Sequence, residues 1–204
     1  MKHKIFALAL LAGIGLFLGC TVQGPEYVDE LDVVYSVYDQ KYDFQNKGTY
    51  SLPDKIVKIN GKTGDEIEYI KNEYAIPTLA QIDKNMTELG WTKVTENPDV
   101  QILPAAWTTT NISISGGYWG DYWCWWDPYY CGGGWYYPYP TYSSFTTGTM
   151  VISMVDPNKI STDDSREVVW FGAINGLFQG TYISNRINNA IDQAFTQSPY
   201  LNLK

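Results

Sequence analysis

The chain has 204 residues, with 14 Lys and Arg against 22 Asp and Glu, a formal charge of −8. Its single histidine, His3, lies in an N-terminal segment expected to be removed, which excludes Ser/His and Cys/His nucleophilic pairs and histidine-ligated metals from the remainder. An acidic surface argues against nucleic acid, where phosphate neutralisation dominates affinity, and a hydrophobic content of 45% excludes wholesale disorder.

Met1–Lys4 is short and basic, and Ile5–Leu18 is an apolar run of 14 residues, below the roughly 20 needed to cross a bilayer as a helix. A basic start, a short apolar core and a small residue at the break describe a secretory signal. The break, Leu16-Phe17-Leu18-Gly19-Cys20, resembles the lipobox of bacterial lipoproteins, with Phe17 where Leu is usual. The resemblance implies a signal peptide over 1–19, a diacylglyceryl group on the sulfur of Cys20, and a lipid-anchored protein of the bacterial cell envelope. Two or three acyl chains such as palmitate hold a protein stably where one does not. Thr21 after the cysteine, in place of Asp, implies the outer membrane by resemblance to envelope sorting rules. Residues 20–30, with Gly24 and Pro25, read as a tether, and 31–204 as one domain.

Leu31–Tyr38 alternates as a strand, with Leu31, Val33, Tyr35 and Val37 on one face. A second strand covers Gly48–Leu52, ended by Pro53, with Lys55–Ile59 extended behind it. Asn60-Gly61 and Thr63-Gly64 are turn signals. Pro77–Leu89 reads as a helix with Leu79, Ile82, Met86 and Leu89 on its stripe, Pro77 in the first turn and Gly90 at the end. Trp91–Thr95 and Val100–Leu103 flank the turn Glu96-Asn97-Pro98-Asp99, and Asn111–Ser115 continues a strand. Ser144–Val155 and Glu167–Ala173 follow, joined around Asp156-Pro157-Asn158. Tyr182–Phe195 closes the chain as a helix with Ile183, Ile187, Ala190, Ile191 and Ala194 on one stripe. The order predicts an α+β fold, a mainly antiparallel sheet packed against two helices.

Several segments carry a likeness in this order: Lys47-Gly48-Thr49-Tyr50-Ser51-Leu52-Pro53, Asn97-Pro98-Asp99-Val100, Gly148-Thr149-Met150-Val151-Ile152, Val169-Trp170-Phe171-Gly172-Ala173 and Asn185-Arg186-Ile187-Asn188-Asn189-Ala190-Ile191. From about Leu31 to Tyr200 the chain resembles a family of bacterial envelope lipoproteins of the DUF 4136-like type, a domain of unknown function. The resemblance implies a fold and a location. It brings no catalytic residues, and Phe171 stands where that family often has a charge.

Within the insertion 116–143, Tyr118–Tyr142 holds 13 Trp or Tyr in 25 residues, interrupted by Gly and Pro that forbid a long helix or central strand. Three readings stand side by side. The rings can pack on one another and roof the sheet; they can form a platform on which sugar rings stack; or they can contact a protein or membrane. Trp119, Trp123, Trp125, Trp126, Trp135 and Tyr136 are the candidate ligand or partner contacts. Asp121 and Asp127 are the only carboxylate pair there and do not rise above coincidence. Cys124 and Cys131 are a disulfide candidate in an exported protein, with free thiols as the alternative and a metal disfavoured by the missing ligands.

Gly172–Gly176 lacks the lysine and spacing of a phosphate loop. Asp65-Glu66 and Asp163-Asp164 read as solvated turns, and Arg186 as a surface ion pair. No set of acid, base and nucleophile stands out. The expectation is therefore a non-enzymatic structural or interaction module that needs no cofactor. Its partners are the membrane, through the anchor, and an envelope protein or glycan; a glycan-binding module is the alternative.

Overall fold

The computed structural model describes residues 34–59, 68–107, 135–136, 148–160, 166–177 and 184–204, with only the backbone described at 135–136. The chain divides into two units, Met1–Glu30 and Leu31–Lys204, and every described residue belongs to the second. The element order is β1 (Val34–Tyr38), β2 (Thr49–Ser51), β3 (Val57–Ile59), α1 (Asn72–Glu88), β4 (Thr92–Lys93), β5 (Val100–Trp107), β6 (Trp135–Tyr136), β7 (Met150–Ile160), β8 (Arg166–Ile174) and α2 (Ser184–Thr196). Single 3-10 turns occur at Phe44–Asn46 and Pro199–Leu201.

All eight strands join one sheet, whose main path runs β1-β8-β7-β5-β2-β4, with β3 on β5 and β6 on β8. The long ladders, β1/β8, β8/β7 and β7/β5, are antiparallel. The expectation of a mainly antiparallel sheet needs correcting at the margins: β2 and β3 both run parallel to β5, β4 runs parallel to β2, and β6 runs parallel to β8. The reason is the connection. β2 and β3 are successive pieces of one sheet margin, and α1 carries the chain back across the sheet so that β5 enters in the same direction.

The α1 stripe is as expected: Leu79, Ile82 and Met86 are buried and Leu89 packs against them. The helix begins at Asn72, well over a turn earlier than the expected start at Pro77. Pro77 therefore lies inside it and forgoes the amide that would bond the Glu73 carbonyl. At the other end Gly90 has φ +97°, the left-handed value glycine tolerates. The Trp91 amide reaches back to the Met86 carbonyl at 3.0 Å and the Gly90 amide to Thr87 at 3.0 Å, a Schellman closure. Its apolar partner is Trp91 itself, which is buried and donates Nε1–H to the Leu201 carbonyl at 2.8 Å.

Asp156-Pro157-Asn158 is not the join between the last two long strands, because β7 runs through it to Ile160. The ladder slips between Val155 and Ile160, and the irregularity is held internally: the Asn158 amide donates to Asp156 Oδ1 at 2.8 Å, and Arg166 donates to the Pro157 carbonyl. A second shift lies opposite Met154 and Val155, where Val169 and Trp170 both turn to the helix side.

The sheet separates two apolar clusters. On one face α1 and α2 cover Tyr50, Ile102, Ile152, Met154, Trp170 and Ile174, with Ile187, Ala190 and Ile191 supplied by the α2 stripe. On the other face lie Val57, Leu103, Ala105, Trp107, Val151, Val155, Val168, Phe171 and Ala173, flanked by Tyr35, Val37 and Ile59. All members of that second cluster are strand residues.

Candidate functional site

Of the sequence-predicted contacts, Trp135 and Tyr136 are placed: they form β6, with Trp135 paired to Arg166 and Tyr136 to Glu167. Trp119, Trp123, Trp125, Trp126, Cys20, Cys124 and Cys131 lie outside the described residues, as do Asp121, Asp127, Asp65-Glu66, Asp163-Asp164, the turns at 60–64, the strand expected at 111–115 and Ile183. Arg186 is placed, and its Nη2 donates to the Gly176 carbonyl at 2.9 Å, fastening α2 to the turn after β8.

The two residues of β6 meet β8 at a corner rich in charge. Tyr38 ends β1, and the next amide, Asp39, donates to the Val169 carbonyl at 2.9 Å; β6 then continues along the same margin of β8. Asp39, Asp156, Arg166 and Glu167 are all buried here. Lys159 Nζ lies 2.6 Å from Asp39 Oδ2 and 3.0 Å from Glu167 Oε1, so one ammonium joins the end of β1 to β7 and β8. Asp156 Oδ2 accepts from the Tyr42 hydroxyl at 2.8 Å and from Lys47 Nζ at 3.0 Å. Both ammonium groups also lie over the Tyr42 ring, at 5.6 Å for Lys47 and 5.2 Å for Lys159. Beside them Tyr38 stacks on Tyr200 with centroids 3.6 Å apart, and Phe44 meets the Tyr42 ring edge-on at 4.8 Å.

The electrostatics follow from these contacts. Burial acting alone would raise the Asp39 carboxyl, but Lys159 and the Lys41 amide outweigh it and hold the group below the usual carboxylate range. Lys159 is disfavoured by burial yet raised overall by Asp39 and Glu167. The Tyr42 phenol is pushed far up, first by burial and then by its bond to Asp156. Among the described residues, Lys159 pairs with Asp39 and Glu167 and Lys47 with Asp156, while Arg166 donates to the Pro157 carbonyl, and these contacts join strands.

Sequence reasoning did not find this cluster. Lys159 and Asp39 are 120 residues apart, and Tyr42 and Asp156 are 114 apart, so no local spacing announces either pair. A second clamp was equally invisible: Asp99 Oδ2 accepts from the Gly48 and Thr49 amides at 3.0 and 2.9 Å and from the Thr49 hydroxyl at 2.8 Å. Among the described residues, no group of His, Cys, Asp and Glu could hold a metal ion, and no helix is long and apolar enough to cross a membrane.

The model of a family described as Domain of unknown function (DUF4136) matches residues 34–200, and the chain belongs to that family. A DUF4136 family protein from Bacteroides thetaiotaomicron, solved as a crystal structure, is 31% identical; the match covers 85% of this chain and 98% of that one at a TM-score of 0.70. The PelC dodecamer from Paraburkholderia phytofirmans is 8% identical over 85% of this chain and 99% of that chain, at a TM-score of 0.40. A PDZ domain protein from Parabacteroides distasonis is 17% identical over 83% of this chain and 36% of that chain, at a TM-score of 0.46. No curated protein matches the chain.

Proposed function

We propose that this family member is a cell-envelope protein, lipid-anchored at Cys20 in the outer membrane, whose α/β body acts as a non-catalytic structural or interaction module for its aromatic insertion. The observation that carries this reading is β6: Trp135 and Tyr136, in the insertion 116–143, are a strand of the sheet, paired with Arg166 and Glu167. A segment built into the sheet is held by the fold, and Asp39, Asp156 and Glu167 near it are paired with Lys159 and Lys47. Groups so engaged support strand assembly and leave the aromatic rings as the chemistry on offer.

The alternative, a glycan-binding module, uses the same rings as stacking platforms. The two readings place the effect of one substitution in different observables. If the rings serve structure and assembly, Trp125→Ala lowers the melting temperature and leaves retention on envelope and dietary polysaccharides as weak as in the parent. Truncation of a core aromatic costs about 3–5 kcal/mol. Unchanged melting with parental polysaccharide retention abolished in the variant replaces the interaction module with the glycan module.

A further inference from the structure

We propose that the seam between α1 and α2 binds one buried water, held between Thr78 Oγ1 and Asn188 Oδ1, which completes the polar clasp joining the two helices. The site is independent of the aromatic insertion and of the charged corner. Three observations on the described residues carry it.

The first is a polar clasp beside the apolar one. Gln81 Nε2 and Asn85 Nδ2 both donate to Asp192 Oδ1, at 2.5 and 2.7 Å, and Asn85 Nδ2 also donates to the Gln81 carbonyl at 2.9 Å. Thr78, Gln81 and Asn85 follow at spacings of three and four, so they share one stripe of α1, and all three are buried. Asn188 and Asp192 are four apart on α2 and stack in the same way. Each helix thus carries a polar edge next to the core stripe that holds Leu79, Ile82, Ile187 and Ile191.

The second is the level at which these residues meet. α1 starts beside β3, where the Ile70 amide donates to the Ile56 carbonyl at 3.0 Å, and Val57 pairs with Ala105 late in β5. It ends beside β4 and β2, where Tyr50 pairs with Val100 at the start of β5, so α1 runs against β5. α2 starts near Gly176, past the end of β8, and its Phe195 lies on Trp170, so α2 runs against β8. Both strands are antiparallel to β7, and the two helices are therefore parallel. Asp192 is bonded by Gln81 and Asn85 and sits between their levels. Asn188, four residues earlier, lies about 6 Å nearer the helix start at about 1.5 Å per residue. The same step on α1 leads to the level of Thr78.

The third is the condition of the two polar atoms. Thr78 is 0% exposed, and Thr78 Oγ1 and Asn188 Oδ1 are both buried with no protein group bonded to either. Folded proteins satisfy such groups with protein or with ordered water, because leaving them unbonded is costly. The arrangement suits water. The Thr78 hydroxyl donates to the water oxygen, and the two water protons go to Asn188 Oδ1 and to Asp192 Oδ2, which the two amides leave open. Three polar partners are typical of a buried water. Two neutral oxygens and one carboxylate fall short of the donor set that calcium takes.

The test compares the full chain with Thr78→Val, which removes the hydroxyl at nearly constant shape, by oxygen-17 relaxation dispersion of water. The dispersion amplitude of the parent should exceed that of the variant by the contribution of one long-lived water, and Thr78→Ser should restore it. Asn188→Leu should show the same loss. Equal amplitudes in the parent and in either folded variant overturn the proposal. If neither variant folds, a crystal structure of the parent decides. Density within about 3.2 Å of both atoms supports the water. A direct bond between Thr78 and Asn188, or an ion with oxygen contacts near about 2.4 Å, overturns it.

Discussion

Trp170 and Gly172 point to the same face of β8, and a Cβ built on Gly172 would stand 2.8 Å from Trp170 Cη2 and 3.2 Å from Cζ2. The indole has nowhere to retreat. It is fully buried, lies against Phe195 with ring centroids 5.3 Å apart, and donates Nε1–H to Ser198 Oγ at 2.9 Å. Glycine is required there so that a tryptophan from the same strand can lie flat between the sheet and α2.

Gly172→Ala is accordingly expected to destabilise by about 1–3 kcal/mol, the usual cost of overpacking a core that cannot shift. Urea denaturation measures it. A midpoint equal to the parent's would mean that the indole has freedom its three contacts deny.

Lys159 joins two carboxylates that are otherwise buried, Asp39 and Glu167. Lys159→Met removes the cation and leaves both behind. Breaking a fully buried pair costs about 3–5 kcal/mol; Lys159 is 32% exposed and Asp39 keeps the Lys41 amide, so the expected cost is below that range. An unpaired buried carboxyl takes up a proton more readily, so the deficit of the variant should narrow as pH falls from 7 to 5. A deficit independent of pH would show that packing of the lysine stem, and not its charge, is what matters.

The pH profile of the parent has two limbs. Asp39, Asp83 and Asp99 are held below their usual range in the fold, so the stability they confer is present above about pH 4 and is lost as pH falls through their folded values. Tyr42, Tyr50 and Lys159 are raised, so their contribution is present below about pH 10 and is lost on further alkalinisation. Asp99→Asn removes a charged acceptor of three hydrogen bonds and should cost about 1–3 kcal/mol at pH 7. Its denaturation midpoint should converge on the parent's as pH falls through the lowered folded value of Asp99, where both side chains become neutral. Parallel curves at every pH would remove Asp99 from the acid limb.

The parts of the fold that were legible in the sequence are those set by near neighbours. The stripe Leu79, Ile82, Met86, the stop at Gly90 and the alternation of β1 all depend on residues within a few positions of one another. Pro77 misled because proline favours a first turn, whereas the tolerance of α1 for it comes from packing of Ala75, Leu79 and Ile82 against the sheet. Asp156-Pro157-Asn158 has turn composition but sits inside a strand, since Asp156 satisfies the Asn158 amide locally and Arg166 crosses to bond Pro157. Strand direction was illegible for β2 and β3, because parallel pairing is decided by the crossover through α1 and leaves no mark in either strand. The charged corner is assembled from β1, β7, β8 and the turn at Phe44–Asn46 by tertiary contact alone. Of the candidate contacts, Trp135 and Tyr136 are placed in the sheet.

Attachment through Cys20 is the claim on which the envelope reading depends, and metabolic labelling with radioactive palmitate tests it most directly. In cells making the parent, label should enter the chain and the processed protein should fractionate with the outer membrane. In Cys20→Ala, label should be absent and an unprocessed precursor should accumulate. Equal incorporation of palmitate into parent and variant, or a parent that matures without label, would contradict the account.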